Sequence, residues 1–139
     1  MDTSIIFLLL AIVLVGILVF VAIWFTGHRT HSFDVEQYQT DFLAIENKLR
    51  RENQLSYNAV VIEADRLLDK ALMELGLPGK TMGDRLKRSG DKFSELNSVW
   101  YAHKLRNKIA HEHNFNLEYN QSKHALATYK QALKDLGAI

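Results

Sequence analysis

Two kinds of hydrophobic pattern share this chain. From Ile5 to Phe25 the residues read IIFLLLAIVLVGILVFVAIWF, with no charged side chain. As a helix rising about 1.5 Å per residue, this run is about 31 Å long, the thickness of a bilayer's hydrocarbon core. It is longer than the apolar stretch of a signal peptide, about 7–15 residues. No Lys or Arg precedes it, and TGHRTH follows where a cleavage site of small residues would stand. The pattern therefore predicts an uncleaved single transmembrane anchor over residues 1–26. Trp24 and Phe25 fall where an interfacial aromatic belt would lie. Arg29 follows the run, so the positive-inside rule favours a soluble domain in the cytoplasm.

Beyond the polar joint at Gly27–Ser32 the apolar positions recur with helical period. Val35, Tyr38, Phe42, Ile45 and Leu49 are spaced three, four, three, four, which predicts a helix over Asp34–Asn53. Two heptads are short for a coiled coil, and residues 27–55 are read as a joint plus a stalk helix laying one face on a domain. A second helix is expected from Ser56, a candidate N-cap, to just before Gly76. Its buried stripe would be Val61, Ala64, Leu68, Ala71, Leu72 and Leu75, with Pro78 enforcing the stop. Residues 76–93 read as a loop containing a short helix at Met82–Arg88. A third long helix is expected over Ser94–His113 and a fourth over Leu117–Leu136, ended by Gly137. The fourth carries Ala125, Tyr129, Ala132 and Leu136 on one face. No segment alternates with period two. The expected fold is all-α: one N-terminal transmembrane helix, then an antiparallel helical bundle over residues 56–139.

Composition narrows the chemistry. Basic and acidic side chains nearly balance at 17 and 16, so bulk charge names no partner. With no cysteine there is no disulfide, thiolate metal site or thiol nucleophile. Gly79-Lys80-Thr81 resembles the end of a phosphate-binding loop, but Glu74 stands where that motif needs glycine, and no strand precedes it. His111 and His113 would point about 200° apart on a helix, so they cannot share a metal. No metal site and no cofactor are expected.

The segment HKLRNKIAHEH, His103 to His113, carries more. His103, Asn107 and His111 are spaced i, i+4, i+8 and line one helix face, bordered by Arg106. Between Lys80 and Lys108 lie eight basic residues and three acidic ones, so positive charge concentrates there. Arg85, Arg88, Lys104, Lys108 and His103 are candidate substrate-binding residues. Such a face attracts nucleic acid, and equally the anionic headgroups of a membrane.

Arg106-Asn107-Lys108-Ile109-Ala110-His111 resembles the R-x4-6-H motif of the HEPN superfamily (higher eukaryotes and prokaryotes nucleotide-binding domains). The resemblance covers roughly Ser56 to Ile139 and includes the polar residue after the arginine and the motif's place on the penultimate helix. It implies a four- or five-helix bundle that works as a homodimer, in many members as a metal-independent endoribonuclease. By that resemblance His111 is the general acid/base, Arg106 stabilises the phosphorane, and Asn107 orients substrate or histidine. The expected function is binding or cleavage of RNA at the cytoplasmic face of the membrane. The alternative is a catalytically silent, membrane-anchored dimerisation or scaffold module with Arg106 and His111 structural, and anionic-lipid or envelope scaffolding ranks third. TMGDRLK and VWYAHKLRNKIAHE are also similar to stretches of small bacterial membrane proteins.

Overall fold

A computed structural model describes residues 3–27 and 32–139 of the chain, and it is helical throughout, with no strand among those residues. Two compact units separate at Ser32. The first holds α1, Thr3–Gly27. Its window Thr3–Ile23 is long and apolar enough to cross a membrane, and the large apolar side chains from Ile5 to Ile23 are exposed. Arg29, the basis for orientation, lies outside the described residues, as do the side chains of Trp24 and Phe25.

The second unit runs from Phe33 to Ile139. It comprises α2 (Val35–Lys48), α3 (Gln54–Glu74), α4 (Met82–Arg88), a 3₁₀ turn at Gly90–Lys92, α5 (Leu96–His111) and α6 (Tyr119–Asp135). Asp34 starts α2 by accepting the Gln37 amide. The predicted seam then goes inward: Tyr38, Phe42 and Ile45 are buried. Ion pairs Lys130–Glu46 (2.9 Å) and Lys48–Glu63 (2.6 Å) flank this face. The helix read as a stalk is thus part of the compact unit.

The centre of the bundle is α3, which packs against α2, α4, α5 and α6. It starts three residues earlier than Ser56 suggests. Asn53 is the N-cap, accepting the Leu55 amide, and the Ser56 hydroxyl inside the helix donates to the Asn53 carbonyl. Val60, Val61, Ala64, Leu68, Ala71 and Leu72 are completely buried. Each such leucine or valine contributes about 1.5–3 kcal/mol by leaving water. Two helices end alike. After α3, Gly76 takes φ +72°, with the Leu77 amide reaching the Leu72 carbonyl and the Gly76 amide the Met73 carbonyl. After α6, Gly137 takes φ +76° with the same pair of bonds, from the Ala138 amide to the Leu133 carbonyl and from the Gly137 amide to the Lys134 carbonyl. This is the glycine-dependent end in which two orphan carbonyls are satisfied together. The short α4 begins in a capping box between Thr81 and Asp84, and these hydrogen bonds, the Thr81 side chain's first, hold the Asp84 carboxyl below the usual aspartate range.

Candidate functional site

Where α3, α4 and α5 meet, an open groove of about 740 Å³ runs across the unit. Its floor is polar and organised around Asp65, a carboxylate on the buried face of α3 with only 4 % of its side chain exposed. Three side chains from two other helices reach it. Nδ1 of His103 on α5 lies 2.8 Å from its Oδ1, and the Tyr129 hydroxyl on α6 donates to the same oxygen at 2.9 Å. The Arg106 guanidinium on α5 brings Nε to 3.4 Å from Oδ2. That Nε is buried and makes an ion pair with Asp65 at this distance rather than a hydrogen bond. A buried carboxylate needs such company, since an unpaired buried charge is strongly destabilising. Burial first, and the Asp65 charge next, push the Tyr129 phenol well above its usual range, so it stays a donor.

A carboxylate only accepts, so His103 carries its proton on Nδ1 in this arrangement. Nε2 is then the acceptor, and the Asn107 amide Nδ2 stands 3.3 Å from it. Asn107 Oδ1 accepts in turn from Arg106 Nη1 at 3.2 Å. The donors therefore point one way along a chain: Arg106 to Asn107, Asn107 to His103, His103 to Asp65.

Of the residues singled out by sequence, Arg106, Asn107, His103, His111, Lys104 and Arg85 all line this groove. Two do not. Arg88 is exposed outside it, and Lys108 lies over the Phe115 ring, 5.6 Å from its centroid. His111 is the last residue of α5 and is exposed at the groove's rim, while the residue of the row that is buried and fixed is His103. Arg85 is buried and engaged: Nε and Nη2 donate to the two Asp69 oxygens at 2.7 and 2.9 Å, and Nη1 to the Gly79 carbonyl. The hydrogen bond to Asp69 is the main reason its pKa is raised. Gly79 is required by close approach, because a Cβ there would lie 2.8 Å from that of Asp84.

Sequence reading missed Asp65 altogether and took Tyr129 only as an apolar residue. A signal for Asp65 exists. It stands four residues after Val61 and three before Leu68, on the stripe expected to be buried, where a charged residue needs partners.

The groove is lined by six cationic side chains and three carboxylates. Asp69 is taken by Arg85, Asp65 faces Arg106, and Asp84 is engaged by its own helix cap. Arg66, Lys80, Lys87 and Lys104 have no ion-pair partner among the described residues. Trp100 adds a half-buried aromatic, edge-on to His103 at 6.1 Å between ring centroids. Among the described residues no three metal-ligating side chains come together. The arrangement suits an anion carrying several charges, with an aromatic surface beside it. Set against known protein families, curated proteins and solved structures, the chain matches none of them.

Proposed function

We propose that the helical unit is a HEPN-like module, held at the cytoplasmic face of a membrane by α1, that binds RNA in the α3–α4–α5 groove and cleaves it without metal. The observation that carries this reading is the groove itself: four cations that form no ion pair among the described residues surround a fixed imidazole, an arginine and a tryptophan. Phosphates would neutralise the cations, and a base would stack on the aromatic. A homodimer is part of the proposal, since the family's composite site brings each motif beside its copy.

The test uses the full chain in detergent and single-stranded RNA in the presence of a chelator. Binding should weaken with salt, with a slope of about −3 in log–log form if four phosphates are contacted. Lys87→Gln with Lys104→Gln should reduce that slope by about 1.4. Cleavage should leave 2′,3′-cyclic phosphate or 3′-phosphate ends. Binding insensitive to salt or to these lysines would refute the proposed interface, and an uncut substrate would refute the nuclease reading.

A specific observation favours the second reading, a silent interaction module. His103 and Arg106 both serve Asp65, at a point where α3, α5 and α6 are tied together. On that reading the wild type cuts nothing, and replacing Arg106 lowers stability or abolishes self-association.

A further inference from the structure

We propose that His103, oriented by Asp65, is the base that takes the 2′-hydroxyl proton of the RNA bound in this groove. The inference rests on the RNA reading above and deepens it. The resemblance points to His111, yet metal-free cleavage needs two proton transfers, one from the attacking oxygen and one to the leaving oxygen. His111 is exposed at the end of α5, with no hydrogen bond among the described residues to set its tautomer. His103 is set on both sides.

Asp65 holds Nδ1 at 2.8 Å, which keeps the proton there and leaves the Nε2 lone pair available. Asp65 is itself held by Tyr129 and Arg106, so the imidazole cannot easily turn. Among the described residues Nε2 has one hydrogen-bond partner, the Asn107 amide at 3.3 Å, longer than a strong hydrogen bond. Gly83 on α4 borders the space beside Nε2. A Cβ at that position would sit 3.8 Å from Nε2 and 3.9 Å from Trp100 Cη2, and glycine leaves the place open.

In the step itself, the 2′-oxygen bonds to phosphorus as its proton passes to Nε2, and the bond from phosphorus to the 5′-oxygen breaks. The departing oxygen takes a proton from the His111 imidazolium, little more than two helical turns along α5. Asn107 gives up its contact with Nε2 and remains bound to Arg106. Asp65 is a positioning residue: it touches neither RNA nor the reacting atoms and acts through the imidazole.

The experiment takes the full chain in detergent, with ¹⁵N-labelled histidine and His103→Gln to assign its signal. In the wild type His103 should show the Nδ1–H tautomer, and Asp65→Asn should shift it toward Nε2–H. His103→Gln, whose amide can still donate to Asp65, should lower kcat about 10²–10⁴-fold in a protein that remains folded at the assay temperature, with RNA affinity little changed. Asp65→Asn should lower kcat and alter the pH profile while KM holds. An Nε2–H tautomer in the wild type overturns the inference alone, and so does a His103→Gln protein that still cleaves at the wild-type rate. A wild type that leaves RNA intact overturns this inference and the nuclease reading together.

Discussion

Replacing Arg85 by alanine separates a structural tie from a ligand contact. The guanidinium makes three hydrogen bonds, two to Asp69 and one to the Gly79 carbonyl. Its side chain is 8 % exposed and that of Asp69 23 %. Removing one member of a fully buried pair costs about 3–5 kcal/mol. Asp69 touches enough water to recover part of its hydration, which brings the expected loss to about 2–3 kcal/mol. Arg85→Lys keeps the charge but not the two-pronged fork and should lose about 1–2 kcal/mol. Arg88→Ala, on the exposed side of the same helix, should stay within about 0.5 kcal/mol. For a unit of this size, the Arg85→Ala loss lowers Tm by roughly 8–20 °C. Thermal and urea unfolding of the full chain in detergent, followed by tryptophan fluorescence, reads these differences. An Asp69→Ala partner in a double-mutant cycle should recover much of the Arg85→Ala loss. If Arg85→Ala were as mild as Arg88→Ala, or if it lost RNA binding at unchanged stability, the reasoning would fail and Arg85 would return to the ligand-binding set.

Three further outcomes are expected. Burial pushes the Asp135 carboxyl up, but hydrogen bonds from the Ser94 amide, Gln131 and the Ser94 hydroxyl outweigh it and leave the pKa lowered. The stability this tie gives is present above the ordinary aspartate value of about 3.9 and is lost as pH falls through the lower folded value. Asp135→Asn should therefore melt below wild type at pH 7, with the gap closing toward about pH 3. Gly76→Ala should cost about 1–2 kcal/mol in urea unfolding, because a Cβ there meets nothing within 4 Å and only the left-handed backbone resists it; Gly76→Asn should cost less. For topology, cysteines at Ser4 and at exposed Asn97 should label from opposite sides of intact cells; labelling of position 97 from outside would reverse the proposed orientation.

The helices were legible because their apolar spacing is regular. Tyr38, Phe42 and Ile45 could be placed on one face from the spacing alone, and Gly76 with Pro78 marked the end of α3. Boundaries were harder, since both Asn53 and Ser56 can cap; the Asn53 side chain takes the Leu55 amide, while the Ser56 hydroxyl turns back to the Asn53 carbonyl. The polar centre was half legible. His103, Asn107 and Arg106 share a helix, so their neighbourhood follows from period. Asp65 lies 38 residues from His103 and Tyr129 lies 64 from Asp65, and no local rule connects them. The same holds for Arg85, whose charge suggested a ligand until its Asp69 partner, 16 residues away, came into view.

On the proposed anchoring by α1, the inclusion of α2 in the bundle bears on proteolytic release from the membrane. Phe33, Tyr38, Phe42 and Ile45 belong to the same buried cluster as Leu68 and Tyr129. A protease cutting before Phe33 would free a body that keeps its whole core and its groove. A cut between α2 and α3 would strip four large side chains from the core and bare the surfaces beneath them to solvent, leaving a remnant prone to unfold and be degraded. The few residues between Gly27 and Phe33 are thus the place where shedding and destruction part: cleavage there yields a soluble form, and cleavage some twenty residues later yields none.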